Sequence, residues 1–270
     1  MRKFLLFTVF FAVSLMLYGA ESEKITPIYS VRGELNAAQG HIQGMCISDT
    51  ALYLSHQGGI FKLDRNGKLL KHVKAPVHTG DICFADGKLY AAVAYYDKAR
   101  KGKGRITVYD ADLNEIGKHE LPRPSDGITC LGGYLYFGLG PNPQKPHRVN
   151  RIGRLKADFS DELKIFEIDF GYPTHFGTQA ISNDGKFLYM CFYGAGEHNF
   201  AVYTPDMQLR ETSLFHGSVG FDHLIINGKS TFIRLKQLYK YRKKETPYFM
   251  FDFFRYTGGK MKNITQGVKK

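Results

Sequence analysis

Five eleven-residue stretches of this chain repeat one pattern without a gap, and no other feature narrows its fold so far. They are Gln43-Gly-Met-Cys-Ile-Ser-Asp-Thr-Ala-Leu-Tyr53, Gly80-Asp-Ile-Cys-Phe-Ala-Asp-Gly-Lys-Leu-Tyr90, Asp126-Gly-Ile-Thr-Cys-Leu-Gly-Gly-Tyr-Leu-Tyr136, Gln179-Ala-Ile-Ser-Asn-Asp-Gly-Lys-Phe-Leu-Tyr189 and Asp222-His-Leu-Ile-Ile-Asn-Gly-Lys-Ser-Thr-Phe232. An aromatic residue closes each copy, and the closing positions lie 37, 46, 53 and 43 residues apart. Self-similarity at such a period belongs to radial or stacked arrays of small supersecondary units.

Each copy reads as an apolar strand, a short turn (Asp-Gly or Asn-Gly in several) and an aromatic-rich strand, which is a β-hairpin. A third strand follows every time: residues 60–64 (IFKLD), 105–110 (RITVYD), 151–155 (RIGRL), 200–203 (FAVY) and 248–252 (YFMFD). A fourth follows in most copies, as at 68–73 and 163–168. No stretch carries the 3.6-residue apolar period of a long helix. Four antiparallel strands repeated radially resemble the β-propeller superfamily. The likeness spans nearly all of the chain after its first twenty residues. The fold expected is therefore all-β, a five-bladed β-propeller; a sixth blade requires the C-terminal stretch to supply more strands. The last copy has no clear fourth strand of its own, and residues 24–32 (KITPIYSVR) are strand-like and otherwise unassigned. The ring is expected to be closed by this N-terminal strand.

The ends set the boundaries. Arg2 and Lys3 precede an almost wholly apolar run over residues 4–17, and Tyr18-Gly19-Ala20 supplies small residues before Glu21. This is the pattern of a cleaved export signal, too short for a membrane span and followed by no second such run. The expected organisation is a signal peptide over 1–20, the propeller over 21–258 and a basic flexible tail over 259–270. A periplasmic or secreted location follows, with no stable membrane span after cleavage.

Loss of Arg2 and Lys3 with the leader leaves 35 of the 37 Lys and Arg against 25 Asp and Glu, an excess of ten. In an exported protein this balance argues against nucleic acid as partner. It favours an anionic saccharide or another anionic ligand. Cys46, Cys83, Cys130 and Cys191 all sit in apolar strand-like runs and form no C-x-x-C pair, so they read as buried free thiols.

In a propeller blade the first strand lines the axis. Its start, the end of the second strand and the loops between blades gather at one mouth of the channel. The sequence places ionisable and amide groups there: His41, Gln43 and His56 in blade one, His78, Asp81 and Tyr95 in blade two, and Ser125 and Asp126 in blade three. Blade four adds His175, Gln179 and His198; blade five adds Asp222, His223 and Arg234. Polar groups buried without partners cost about 1–3 kcal/mol each, so such a cluster is expected to face a ligand, a metal or water.

Two arrangements compete for the pocket. In one, His41, His78, His175 and His223 converge on a divalent metal (Zn, Mn, Ni or Cu), with oxygen from Gln43 or Asp81. In the other, Asp81, Asp126 and Asp222 form a carboxylate set for glycoside hydrolysis. Basic loops rim the same mouth. Residues 95–105 carry Lys98, Arg100, Lys101, Lys103 and Arg105, residues 141–151 carry Lys145, His147, Arg148 and Arg151, and residues 235–244 carry Lys236, Lys240, Arg242, Lys243 and Lys244. Arg holds a carboxylate or sulfate by paired hydrogen bonds, and Tyr95, Tyr239 and Tyr241 offer stacking faces.

The His/Gln/His composition is similar to that of oligogalacturonate lyases, propellers whose metal is held by several His and a Gln. The similarity is one of residue types, with no motif aligned, and those enzymes have more blades. It implies a metal- or His-assisted lyase or hydrolase. The catalytic set expected is His78, His175 and Asp81, with His78 or His175 as base. Gln43, Tyr95, Asp126, Gln179, Arg234, Lys240 and Arg242 are expected to bind substrate. A non-catalytic propeller binding a glycan or protein through its basic loops is the competing reading. No Ser/His/Asp order, phosphate-binding Gly-rich loop or dinucleotide fingerprint stands out.

Overall fold

Three of the five repeats fold back on themselves because their centres supply what a two-residue turn needs. A type I′ turn demands positive φ at both central residues. Asp86–Gly87 (φ 49° and 75°), Gly132–Gly133 (60° and 78°) and Asn227–Gly228 (50° and 70°) provide it. The structure, a computed structural model, describes residues 28–29, 41–96, 102–140, 146–238 and 248–265. The expected leader over residues 1–20 lies outside this set. Among the described residues no helix is long and apolar enough to cross a membrane.

The strands form five antiparallel sheets arranged as a five-bladed β-propeller. β1 (Ile28–Tyr29) comes first in the chain but belongs to the last blade. Blade one holds β2 (Ile42–Ile47), β3 (Leu52–His56), β4 (Gly59–Leu63) and β5 (Leu69–Lys74). Blade two holds β6 (Thr79–Ala85), β7 (Lys88–Tyr96), β8 (Gly102–Asp110) and β9 (Glu115–Leu121). Blade three holds β10 (Ser125–Leu131), β11 (Tyr134–Leu139), β12 (Asn150–Lys156) and β13 (Lys164–Ile168). Blade four holds β14 (Thr178–Asn183), β15 (Leu188–Phe192), β16 (Phe200–Tyr203) and β17 (Leu209–Ser213). Blade five holds β18 (Phe221–Ile226), β19 (Lys229–Leu238), β20 (Tyr248–Thr257) and β21 (Lys260–Asn263), with β1.

β2, β6, β10, β14 and β18 neighbour one another around the axis. Five apolar clusters fill the five seams between blades. One joins Ile42, Met45, Leu54 and Phe61 to Ile233, Leu235, Phe251 and Phe253, sealing blade five to blade one. Phe61 and Phe251 are wholly buried there, each contributing about 1.5–3 kcal/mol. The ring is closed on the outer edge of β20 from both ends of the chain. β1 pairs with it through Ile28↔Phe251 and Tyr29↔Met250, and β21 through Phe254↔Asn263 to Thr257↔Lys260. The N-terminal strand thus closes the ring as expected. The stretch read as a tail from residue 259 contributes an ordered strand as well. Its turn, Gly258–Gly259 (φ 55° and 75°), is another positive-φ pair, a hairpin signal hidden in a Lys-rich context.

The turns between third and fourth strands repeat too. Gly67, Leu113, Phe159 and Met207 all have positive φ at the same point of blades one to four. A left-handed residue with a side chain costs roughly 1–2 kcal/mol. Leu113 offsets this by burying its side chain between blades one and two, while Phe159 and Met207 pack against the next two seams. All four cysteines are free; three are buried and Cys130 is half-buried.

Candidate functional site

The mouth is shaped by a break in the inner-strand pairing. In blades one to four the ladder between first and second strands shifts register between Ile42 and Gly44, Thr79 and Ile82, Ser125 and Ile128, and Thr178 and Ala180. Such a bulge leaves residues out of the ladder and re-aims their side chains. The residues set free include Gln43, Asp126 and Gln179, the leading residues of three repeats. The β18–β19 ladder of blade five runs without a shift from Phe221 to Ile226.

The bulges open onto a cavity of ≈ 400 Å³ lined by His41, Gln43 and Gln57 of blade one, His78, Ala94 and Tyr96 of blade two, Asp126 of blade three, and Phe176, Gln179 and Tyr193 of blade four. Gln43 Nε2 donates to His41 Nε2 at 2.8 Å, which leaves that imidazole neutral with its proton on Nδ1. Burial, and then charge on His78, lower the pKa of His41. His78, held at φ 62°, meets the edge of Tyr96 with ring centroids 6.4 Å apart. Gln179 Nε2 donates to Asp126 Oδ2 at 3.0 Å and to the Phe176 carbonyl at 3.3 Å. Burial pushes the Asp126 carboxyl up to about 7, against the opposing pull of the Gln179 hydrogen bond. Gly80 makes room for this acid, since a Cβ there would lie 2.4 Å from Asp126 Oδ1.

The other two axial carboxylates are built into the frame. Asp81 Oδ2 accepts the backbone N–H of Ile128 at 3.2 Å and of Ile181 at 3.0 Å, so a blade-two side chain grips blades three and four. Asp222 Oδ2 accepts the N–H of Ile47 at 2.8 Å, and its Oδ1 accepts Ser182 Oγ at 3.1 Å and the His223 N–H at 2.8 Å. Blade five is thereby tied to blades one and four. All five inner strands meet at these two side chains. Burial raises the Asp81 carboxyl well above its ordinary value, although the N–H groups of Ile181, Ile128 and Ile82 oppose it; burial raises Asp222 to about 6. Asp81 Oδ1 is buried and has no partner among the described residues. The expectation of Asp81 as catalytic, and of an Asp81/Asp126/Asp222 reaction set, is corrected accordingly. Only Asp126 faces the cavity.

The four-histidine metal set is not assembled either. His41 and His78 share the cavity. His175 is exposed beside Gly194 and outside the lining. His223 hydrogen-bonds Ser230 Oγ at 2.8 Å beside the β18–β19 turn, at the end of the ring away from the mouth, because the unbulged β18 carries it there. Among the described residues no three His, Cys, Asp or Glu side chains stand together as metal ligands. The arrangement does not fit the proposed ion.

Arg234 is committed elsewhere. Its Nη2 donates to Asp252 Oδ2 at 2.6 Å, and its guanidinium lies over Phe215 and Phe254. Tyr95 donates to Glu120 and stacks under Arg105, so the half-turn of the strand hands the pocket to its neighbour Tyr96. Arg148 pairs with Asp169 and Arg151 with Glu167. Lys240, Arg242 and Lys243 lie outside the described residues, as do Lys98, Arg100, Lys101 and Lys145. Gln43, Asp126 and Gln179 stand where expected. Gln57, Tyr96, Phe176 and Tyr193 complete the lining. Gln57 and Tyr193 come from second-to-third-strand loops and Phe176 from an inter-blade loop, so they fall outside the eleven-residue repeat and carry no signal from it.

No family model matches the chain, and no curated protein matches it in sequence. Among solved structures its fold is similar to that of RS223 β-xylosidase, at 14% identity and a TM-score of 0.55, over 87% of this chain and 97% of that one. It is similar also to the glutaminyl cyclase of Myxococcus xanthus, at 8% identity and 0.55, over 85% and 95%. A β-xylosidase/α-arabinofuranosidase from a compost microbial metagenome, solved with xylotriose, aligns at 13% identity and 0.54, over 89% and 99%. Likeness at these identities establishes the fold.

Proposed function

We propose that the mouth cavity binds a saccharide and cleaves a C–O bond in it by acid–base catalysis. One observation carries the reading: Asp126 and His78 line a single aromatic-walled cavity, and the acid titrates near neutrality. A carboxyl kept protonated near pH 7, in one cavity with a second side chain able to take a proton, is the arrangement that acid–base catalysis uses. Asp126 protonates the departing oxygen. His78, whose ring is not tied to Gln43 as that of His41 is, accepts a proton from water or, in an acidic sugar, from the carbon beside the carboxylate. The β-xylosidase neighbours share the fold and make a saccharide the first ligand class to try.

Preference for an anionic saccharide, and export of the protein, belong to this proposal as well. The first rests on the basic loops, since the cavity lining includes no Lys or Arg. The second rests on the leader sequence. A glycan-binding propeller without turnover has one observation in its favour: Asp81 and Asp222 are occupied by backbone N–H groups, which leaves a lone carboxylate in the cavity.

The test is a panel of neutral and acidic glycans, read for new reducing ends and for ultraviolet absorbance from a new conjugated double bond. Absorbance marks elimination; reducing ends without it mark hydrolysis. Asp126→Asn and His78→Ala are each expected to lose at least about 100-fold, the usual scale of a general acid or base. Turnover that survives both changes refutes the assignment, and saturable binding without turnover supports the binding propeller.

A further inference from the structure

The three rings in the cavity lining are exposed to an unusual degree for large aromatic side chains: Tyr96 42%, Phe176 43% and Tyr193 49%. They fall into two platforms. Tyr96 stands at the end of β7 in blade two, against His78. Phe176 and Tyr193 pack edge to face at 5.0 Å on the loops of blade four. Asp126 comes from blade three, between them around the ring, and Gln179 joins it to the Phe176 backbone. Blade one contributes amide and imidazole groups, Gln43, Gln57 and His41, which suit hydroxyls.

We infer that the ligand is a linear oligosaccharide lying across the mouth from blade two to blade four, with sugar units on both sides of the bond above Asp126. This rests on the saccharide reading and narrows it to chains cleaved or gripped internally. The apolar face of a sugar ring covers an aromatic side chain while its equatorial hydroxyls point outward to hydrogen-bonding groups. Burying an aromatic face that water now touches is favourable in proportion to its area. A single ring covers one platform and leaves the other wet. A chain covers both, and its interior unit spans the amide-lined floor. A volume of ≈ 400 Å³ lies near the lower end of the roughly 300–1,000 Å³ that bury a drug-sized ligand, so the cavity encloses the units next to the bond and leaves the ends of a longer chain to the exposed rings.

The experiment is a chain-length series by titration calorimetry with the full protein: xylose to xylohexaose, and galacturonic acid to its hexamer. Affinity in at least one series is expected to rise tenfold or more from monomer to tetramer. Tyr96→Ala, and Phe176→Ala with Tyr193→Ala, are each expected to cost the tetramer about tenfold, equivalent to ~1.4 kcal/mol. The two losses are expected to multiply when combined, because the platforms stand on different blades and no ring contact joins them among the described residues,. Tyr96→Phe keeps the ring and restores tight binding. Circular dichroism confirms that each variant is folded. Equal affinity for monomer and tetramer in both series overturns the inference while leaving the saccharide reading intact. No binding by any member of either series overturns both.

Discussion

Replacing Asp81 separates a structural carboxylate from a catalytic one. Asp81→Ala removes the acceptor for the Ile128 and Ile181 N–H groups, at the point where three inner strands meet. A buried donor left unpaired costs about 1–3 kcal/mol, so two cost roughly 2–6 kcal/mol before any cavity effect. Asp81→Asn keeps a carbonyl oxygen where Oδ2 lies. Because burial already favours the neutral acid, the amide changes little charge, and the expected loss is about 1 kcal/mol or less. Urea unfolding followed by far-ultraviolet circular dichroism measures both. With a slope near 3 kcal/mol/M, suited to a chain of this size, Asp81→Ala shifts the midpoint down by roughly 1 M and Asp81→Asn by a few tenths at most. Glycan cleavage or binding by Asp81→Asn stays near that of the unaltered protein. A stable Asp81→Asn that has lost all turnover returns Asp81 to the reaction and refutes the reasoning. Equal stability of Asp81→Ala and the unaltered protein refutes the grip on blades three and four.

Asp126 links stability to pH. Its folded pKa of about 7 exceeds its ordinary 3.8, so the folded chain holds a proton that the unfolded chain releases. The stability it contributes is complete below pH 3.8 and is lost as pH rises through about 7,. Asp126→Asn, which does not titrate, is expected to lack this decline of up to a few kcal/mol, seen as melting temperature against pH; parallel pH curves for the two proteins refute it. With Asp126 as the proposed general acid, turnover is expected to fall over the same rise through pH 7. Arg234→Met strands Asp252, 4% exposed, and is expected to cost about 3–5 kcal/mol in urea unfolding. A stability unchanged by this substitution, with loss of anion binding instead, restores Arg234 as a ligand-binding group. Gly80→Ala forces a Cβ against Asp126 Oδ1. It is expected to lower turnover at least tenfold with overpacking of roughly 1–3 kcal/mol, and unchanged kinetics contradict the placement of the acid.

The repeat disclosed the propeller because hairpin chemistry is local. Asp86–Gly87 and Asn227–Gly228 announce their turns in the sequence, and the apolar runs beside them have nowhere to go but the seams. Blade five was harder. Its outer edge is shared between β1 and β21, and a four-residue strand of Lys, Met, Lys and Asn has no apolar run to betray it. The site was legible to the extent that it follows the repeat. Gln43, Asp126 and Gln179 occupy the leading position of their copies, and the bulges send all three to the mouth. Asp81 sits one residue later in its copy, turns inward and becomes frame. Asp222 does occupy the leading position, but β18 has no bulge, so it turns inward too. His223 follows it and reaches the far end. A bulge is a matter of register between two strands, and no residue type in these copies specifies it. Tyr95 and Tyr96 show the same limit at smaller scale: two adjacent tyrosines, one bonded to Glu120 and one facing the cavity, are separated only by the alternation of the strand.

The bulges also divide labour among the blades. Blades one to four each give up ladder pairing at the mouth, and these are the blades that line the cavity. Blade five keeps an unbroken inner ladder, donates Asp222 to the axis, and locks Arg234 to Asp252 between β19 and β20. It is also the blade whose outer edge both ends of the chain must reach to close the ring. The asymmetry of the site thus coincides with the topology of closure: the four blades whose inner ladders shift register line the cavity, and the blade that closes the ring keeps its inner ladder in register.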